Sequence, residues 1–421
     1  MVKRTELFPG VFLSAVETKK FKTGCFSLNI LRPLCRQEAA ANALFPSVLL
    51  RGTERCPDIP AISAVLDELY GANVGMLIRK KGEVQTTGFY ADFVEDRFSS
   101  EPVFSPLMHF LGELLLHPVP EDGAFRKDYF EGEKRNLLNT MDARINNKRT
   151  YANSCMLDEM CKDEAYSILR LGTRPELEAL DSAALFRHYR RVLAESRLEL
   201  FYMGEKSLQE VAEVLRSALR ELPRAEAFTP VGTQVIPSAK RVQTVEKRMD
   251  VTQGKLSIGL RTGCAANSPD YPALVVMNTL FGACTTSKLF VKVREEQSLC
   301  YYAASALDRD KGLIIVYSGV ETDQLETAKD AILLQLKDCQ DGKITDEEFS
   351  SAKSYLLSDL RSAQDSPSRL DEYYLGQALR GGTESMEAYA ERIAAVTVQQ
   401  VQQAASRLTA DTIFYLKGAE K

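Results

Sequence analysis

The chain has 421 residues, of which 45% are hydrophobic and 26% are charged, and its formal net charge at pH 7 is −5. This length predicts two domains of about 200 residues each rather than a single domain. The negative net charge and the lack of a basic run argue against a nucleic-acid-binding protein. No apolar stretch reaches the roughly 18 residues of a membrane-spanning helix. The start also lacks a signal-peptide pattern, so we expect a cytoplasmic protein without membrane association.

Cysteine and histidine usage indicates reduced thiols and gives no metal-ligand spacing. The cysteines form no Cys-x-x-Cys pair, and several lie in apolar runs, which is typical of buried free thiols. The three histidines, His109, His117 and His188, include no pair at the spacing that zinc requires. A zinc site built from cysteines and carboxylates that are distant in the sequence stays open as an alternative.

Strand and helix patterns alternate along the N-terminal half in the manner of an antiparallel sheet with packed helices. The predicted strands lie near 11–13 and over 25–31, 73–79, 84–92 and 198–203. The predicted helices lie over 39–50, 59–70, 104–116, 120–146, 151–169, 175–194 and 208–221. This order of elements favours the α+β class.

The helix predicted within residues 37–53 has an unusual interior residue. Its apolar positions follow helical spacing and end in Arg51-Gly52-Thr53, where Gly52 is placed to cap the helix. Pro46 lies inside this pattern, where a proline removes a hydrogen bond at a cost of about 3 kcal/mol. We therefore expect a bend near Phe45 or a helix that begins only around Pro46.

The second half of the chain repeats the first. Residues 23–31 and 253–261 align without a gap, and each segment is followed by a loop and an apolar helix. Both halves also end in a predicted strand. The order of several shared elements predicts a duplicated α+β domain, with domains over 1–222 and 241–421. The stretch between them, 223–240, contains three prolines and is predicted to be a semi-rigid linker.

The helix and Arg-Gly-Thr turn resemble the active-site helix of the peptidase M16 family, the insulinase- and pitrilysin-like inverzincins. That helix carries His-x-x-Glu-His, in which two histidines on one face hold zinc and the glutamate activates the bound water. Counting back from Gly52 places the first histidine at Ala43, the glutamate at Pro46 and the second histidine at Ser47. None of these three side chains supplies a zinc ligand or a general base.

The third metal ligand of the family, a glutamate on a later helix, also has no carboxylate at its matching position. The resemblance places Glu133 at an earlier acidic position of that helix and Thr140 at the metal-binding glutamate. A register shifted by two residues would place Asp142 there instead. With the general base and three ligands missing together, the resemblance predicts that the family's zinc cofactor is absent and that no residue here is catalytic.

The most specific match to the family lies in the second half. Ser287 to Tyr302, SKLFVKVREEQSLCYY, resembles the family pattern S-x-L-F-x-x-L-R-E-x-x-x-L-x-Y. In the family the arginine and tyrosine of this pattern hold the peptide near the scissile bond, which implies substrate-binding roles for Arg294 and Tyr301. A guanidinium and a phenol can donate hydrogen bonds to peptide carbonyls. The alternative is an arginine in a surface ion pair and a tyrosine packed at a strand start.

The resemblance implies two duplicated α+β domains, each a mostly antiparallel sheet covered by helices, in the clamshell arrangement of LuxS/MPP-like metallohydrolases. Within the family, the sequence pattern most resembles the catalytically silent bacterial subunits of paired peptidases. Such subunits are associated with elongation factor P modification or with peptide maturation. The implied partners are a peptide or protein substrate and an active paralogue with His-x-x-Glu-His. Two alternatives stay open: a stand-alone peptide-binding scaffold or homodimer, and a zinc peptidase with unrecognised ligands.

Overall fold

Two β-sheets form the framework of the chain in the computed structural model, which describes residues 2–418. The strands of the N-terminal half are β1 (Val2–Phe8), β2 (Val11–Glu17), β3 (Thr23–Pro33), β4 (Asn73–Lys81), β5 (Val84–Val94), β6 (Pro120–Glu121), β7 (Ala124–Phe125) and β8 (Arg197–Gly204). The first sheet has six strands in the order β1-β2-β8-β3-β5-β4. Strand β4 therefore lies at an edge of this sheet.

The helices of the N-terminal half follow the predicted order, but the helix predicted over 151–169 ends at Met160, and the one predicted from residue 120 begins later. They are α1 (Arg36–Leu49), α2 (Ile59–Glu68), α3 (Phe104–Leu116), α4 (Lys127–Ala143), α5 (Lys148–Met160), α6 (Arg174–Glu178), α7 (Ser182–Glu195) and α8 (Leu208–Ala218). The helix predicted from residue 120 begins only at Lys127, because Pro120–Glu121 and Ala124–Phe125 pair as a short hairpin. Its turn places Asp122 and Gly123 at positive φ, which is not helical geometry.

The C-terminal half contains the second sheet and the remaining helices. Its strands are β9 (Gln243–Met249), β10 (Gly254–Arg261), β11 (Tyr302–Asp308), β12 (Leu313–Val320) and β13 (Thr409–Gly418). Its helices are α9 (Tyr271–Asn278), α10 (Leu325–Gln340), α11 (Asp346–Ala363), α12 (Pro367–Leu379), α13 (Met386–Ala395) and α14 (Val398–Ser406), with π-helical segments over Thr279–Ala283 and Leu289–Glu296. The five strands are ordered β11-β12-β10-β13-β9.

The two sheets have equivalent topologies, which confirms the predicted duplication of an α+β fold. The aligned segments form the central strands β3 and β10, and each lies between a hairpin strand and the last strand of its own half. Pairing is antiparallel except for the β2–β8 and β9–β13 pairs. The mostly antiparallel sheets expected from the sequence are therefore present in both halves.

The chain divides into two compact units that are not continuous in sequence. One unit contains 1–142, 168–232 and 367–383, and the other contains 143–167, 233–366 and 384–421. Helix α12 of the second half thus belongs to the first unit, and helix α5 of the first half belongs to the second. The two sequential domains predicted from the sequence, 1–222 and 241–421, therefore remain a prediction.

The first sheet is covered on both faces, which explains why β3 is buried along almost its whole length. On one face Leu28 pairs with Phe89 and Leu200, and this layer belongs to the apolar core shared with α1, α3, α7 and α8. On the other face the Ser27 hydroxyl donates to Asp371 of α12, with an oxygen–oxygen distance of 2.6 Å. Alternation of side chains along the strand therefore separates an apolar face from a more polar one.

The helices of the described chain do not have the composition of membrane spans. Within residues 2–418, none combines the length and the apolar character that a bilayer crossing requires.

Candidate functional site

A cavity of about 290 Å³ in the first unit brings the matched family positions together. Helix α1 contributes Ala43 and Ser47, and helix α4 contributes Glu133 and Thr140. We call it the remnant cavity. Its remaining lining residues are Met76, Ile78, Asn136, Leu137, Arg170 and Leu171. The two helices that the sequence resemblance matched to the family's zinc site thus face a common space here.

Helix α1 presents two of these positions one turn apart. Ala43 and Ser47 are separated by four residues and therefore share one helix face. The Ala43 side chain is buried. The Ser47 hydroxyl donates to the carbonyl of Leu44 at 2.8 Å, so its proton is engaged by the helix backbone. Neither side chain supplies a base or a charge to the cavity.

Pro46 lies inside α1. The expectation that the helix begins only around Pro46 is therefore wrong. The helix runs from Arg36 to Leu49 with Pro46 in its last turns. A proline at this position leaves the carbonyl of Asn42, four residues earlier, without its helical donor. Thr87 of β5 donates its hydroxyl to that carbonyl at 2.7 Å. The neighbouring strand therefore replaces the missing hydrogen bond, which allows the helix to continue.

Helix α4 places Thr140 in the cavity wall and Asp142 outside the lining set. The Thr140 hydroxyl donates to the carbonyl of Asn136 at 3.0 Å. Asp142 is exposed and forms an ion pair with Arg174 at 2.5 Å. Between the two registers considered from the sequence, it is Thr140 whose side chain borders the cavity.

Glu133 is the carboxylate among the lining residues. It forms an ion pair with Arg51 at 3.4 Å and accepts a hydrogen bond from the Asn136 amide at 3.3 Å. Arg51 belongs to the Arg-Gly-Thr turn that follows α1. The charge of Glu133 is therefore balanced by the chain itself.

The donor set of the remnant cavity does not fit zinc. Zinc is held in proteins by imidazole, thiolate and carboxylate groups, usually four ligands or three plus water. The lining offers two hydroxyls that are engaged by backbone carbonyls and one carboxylate that is paired with an arginine. Across residues 2–418, no group of three or more His, Cys, Asp or Glu side chains has a metal-binding arrangement.

A buried polar network that the sequence reasoning missed lies behind the cavity. Asn42 is fully buried, donates to Gln85 at 2.9 Å and accepts from His188 at 2.7 Å. Arg191 donates to Nδ1 of His188 at 3.1 Å, so Nε2 carries the proton of a neutral ring. Burial lowers the pKa of His188 to about 4. The only signal in the sequence was Asn42 itself, a polar residue within an alanine-rich apolar helix.

Of the other two histidines, His109 is exposed on α3 and His117 directly follows the last residue of that helix, and both make local contacts. Both ring nitrogens of His109 are hydrogen-bonded, to the Ser105 carbonyl and the Ser217 hydroxyl. His117 lies 3.5 Å from Glu221. Each of the three histidines therefore has its own local partners, and no two of them share a site.

Arg294 and Tyr301 contact each other in the second unit. The Arg294 Nε donates to the backbone carbonyl of Tyr301 at 3.0 Å, and its guanidinium lies 4.6 Å from the centre of the Phe290 ring. Arg294 also pairs with Glu295 at 2.8 Å. The Tyr301 side chain is 61% exposed, and its hydroxyl donates to Glu321 at 2.7 Å. The motif thus forms one local unit that displays a phenol and a guanidinium at the surface.

The edge strand β4 borders the remnant cavity and has an open outer side. Lys81 and Val84 close a two-residue turn, and in such hairpins the closing residues exchange backbone hydrogen bonds. The alternate positions, including Met76 and Ile78, therefore direct their N–H and C=O groups away from β5. The Ile78 carbonyl accepts a hydrogen bond from the Arg170 side chain at 3.4 Å, as this geometry requires. In the described chain no strand pairs with this outer side.

Comparisons with known proteins agree with the geometry of the site. Residues 179–356 match the model of the family described as the peptidase M16 inactive domain. A "probable inactive metalloprotease", YmfF of Bacillus subtilis, is 32% identical over 415 residues, which covers 98% of this chain and 96% of that protein.

Two crystal structures extend the comparison to the fold. A conserved protein from Enterococcus faecalis superimposes with a TM-score of 0.91 at 27% identity, covering 100% of this chain and 99% of the other. The peptidase M16 inactive domain protein from Pseudomonas fluorescens gives a TM-score of 0.79 at 16% identity, with 100% and 98% covered. With a cavity framed by the family's two metal-site helices and without a zinc-binding donor set, this chain belongs to the peptidase M16 family as an inactive homologue.

Proposed function

We propose that this protein is a non-catalytic, peptide-binding subunit that works with an active M16 paralogue carrying His-x-x-Glu-His. The observation that carries the proposal is the remnant cavity, which lies beside an open strand edge and contains no zinc-binding donor set. A site of this kind can hold a peptide and cannot activate water by the family's mechanism. The catalytic zinc would then come from the partner.

Peptide binding is supported by the strand edge. An exposed edge strand presents N–H and C=O groups that an extended peptide can satisfy by adding as a further strand. On β4 the outward Ile78 carbonyl already accepts from the exposed Arg170 side chain, so a peptide would replace that hydrogen bond. Met76 is 47% exposed on β4, and its side chain and that of Ile78 line the remnant cavity. Leu137 and Leu171 make the same lining apolar. A peptide on β4 would therefore gain backbone hydrogen bonds and bury an apolar side chain in the cavity.

Arg294 and Tyr301 supply a second set of groups suited to peptides. Both side chains remain partly accessible, and Arg294 is positioned by the Tyr301 carbonyl while the Tyr301 hydroxyl is positioned by Glu321. Guanidinium and phenol groups donate to peptide carbonyls or to a terminal carboxylate. We assign them the substrate-contact roles that the family pattern implies.

The proposal is tested by reconstitution. The chain, the His-x-x-Glu-His paralogue from the same host, and a mixture of the two are compared by size-exclusion chromatography and by cleavage of a fluorogenic peptide library. We expect a mixed complex that cleaves peptides faster than the paralogue alone, and no cleavage by this chain alone. If the elution volume and the cleavage rate of the paralogue do not change when this chain is added, the partner role is wrong.

A further inference from the structure

The edge strand β4 has a second cavity, on the face opposite to the remnant cavity. Its volume is about 240 Å³, below the roughly 300–1,000 Å³ of whole small-molecule sites, and therefore nearer the size of one side chain. We call it the α12-side cavity. It is lined by Cys25, Phe26, Ser27, Leu77, Arg79, Tyr90, Ala91, Asp92, Pro367, Ser368 and Asp371.

The two cavities are related by the alternation of side chains along β4. Met76 and Ile78 line the remnant cavity, whereas Leu77 and Arg79 line the α12-side cavity. A peptide that pairs with the outer side of β4 would alternate in the same way, because successive residues of a strand point to opposite faces. One peptide side chain would enter the remnant cavity, and its neighbour would point toward the α12-side cavity.

The charges that line the α12-side cavity leave one carboxylate without a cation. Arg79 is engaged by Asp371 at 2.5 Å and by Glu372 at 3.6 Å. Asp371 is buried and also accepts from Ser27. Asp92 lies at the exposed rim of this cavity and is hydrogen-bonded by the Asn73 amide, and within residues 2–418 no cation forms an ion pair with it. Desolvation raises the pKa of Asp92, an effect that a nearby cation would oppose.

The walls of the same cavity suit the stem of a long side chain. Leu77 provides an aliphatic surface, and the Tyr90 ring lies across the backbone of Gly75, where a Cβ would collide with it. The aliphatic carbons of lysine or arginine pack on such surfaces while the charged end reaches a polar group. An aromatic face adds attraction for a cation.

We propose that the α12-side cavity takes a basic side chain, lysine or arginine, of the same extended peptide whose neighbouring apolar side chain occupies the remnant cavity. This rests on the proposed peptide-binding function and adds a substrate preference to it. Asp92 recognises the cation, and the pairing register on β4 places the two side chains. The preferred peptide therefore contains an apolar residue directly followed or preceded by a basic one.

The test uses fluorescently labelled, capped hexapeptides with alternating leucines that differ at one central position, which carries lysine, norleucine or glutamate. Binding to the full chain is measured by fluorescence anisotropy. Because a partly exposed ion pair contributes up to about 1 kcal/mol, we expect the lysine peptide to bind about fivefold more tightly than the norleucine peptide. Asp92→Asn should remove this preference and leave the affinity for the norleucine peptide unchanged. The exposed Asp67 of α2 provides the matched control, Asp67→Asn, which should keep the preference.

The outcomes separate the two proposals. If the lysine and norleucine peptides bind equally well, or if Asp92→Asn keeps the lysine preference, the basic subsite is wrong while peptide binding stands. If none of the peptides binds, with or without the active paralogue, the proposed function itself fails. A photoreactive group at the central position should label Leu77 or Tyr90, and labelling of Leu137 instead would contradict the assigned faces.

Discussion

Pro46 is unfavourable inside helix α1, and Thr87 of strand β5 compensates for it. The Thr87 hydroxyl provides the donor that Pro46 cannot provide to the Asn42 carbonyl. Both threonine and carbonyl lie in a buried environment, where an unpaired polar group is costly. The continuity of α1 therefore depends on a side chain from β5.

This dependence predicts the result of a double-mutant cycle. Thr87→Val should lower the free energy of unfolding by about 1–3 kcal/mol, because it leaves the buried Asn42 carbonyl unpaired. In a Pro46→Ala background the restored backbone N–H should make the same substitution much less harmful. Urea denaturation of the four proteins measures the coupling. Thr86→Val is the matched control, since the buried Thr86 hydroxyl has no hydrogen-bond partner in the structure.

His188 gives a pH dependence whose sign follows from its lowered pKa. The folded-state pKa is about 4, against a reference value of 6.5, so between these values the unfolded chain binds a proton that the folded chain does not. Stability should therefore fall by as much as ~3 kcal/mol as the pH drops from 6.5 to 4. Denaturation curves across this range should be less pH-dependent in His188→Gln. His117→Gln, at a half-buried histidine on another helix end, is the control and should show the pH dependence of the wild type.

Arg294 is the residue whose substitution should impair function without unfolding the chain. Loss of a charge-assisted hydrogen bond to the peptide should reduce turnover by the reconstituted pair by roughly tenfold in Arg294→Ala. The thermal unfolding midpoint should stay close to that of the wild type. Arg361→Ala, an exposed arginine on α11, serves as the control. Unchanged turnover in Arg294→Ala would show that the family role does not apply here.

At the scale of elements, the sequence predicted the sheets, the duplication and the position of α1, because these depend on patterns within short segments. The course of α1 through Pro46 was not predictable, since it depends on Thr87, a residue 41 positions later in the sequence. The exchange of α5 and α12 between the two units was also missed. An amphipathic pattern indicates which face of a helix is buried, but it does not identify the sheet that covers it.

The correspondence between α1, α4 and the family's metal-site helices can be tested by restoring the missing groups. The variant Ala43→His, Pro46→Glu, Ser47→His, Thr140→Glu should bind about one zinc ion per chain, because its ligands would line one cavity. Isothermal titration with zinc measures the stoichiometry. The triple variant that keeps Thr140 is the control for register. If it binds zinc as tightly, Asp142 rather than Thr140 occupies the position of the third ligand.

At the scale of the whole molecule, the chain has the duplicated fold of its family, but the remnant cavity, within residues 2–418, lacks a set of side chains that could bind zinc. In the function proposed here, the strand edge, the cavity and the Arg294–Tyr301 motif are the features that would contact a peptide. The residue patterns of the motif and of the α1 turn were sufficient to predict the family. The two cavities on opposite faces of β4 became visible only when the fold placed α12 against the first sheet.

The central claim, that this chain holds peptides without cleaving them, is tested most directly by its metal content together with its own activity. The protein is purified from zinc-supplemented cells, dialysed, and measured by inductively coupled plasma mass spectrometry and by a peptide-cleavage assay. We predict far less than one zinc ion per chain and no cleavage. One tightly bound zinc ion per chain, together with cleavage that a chelator abolishes, would contradict the account.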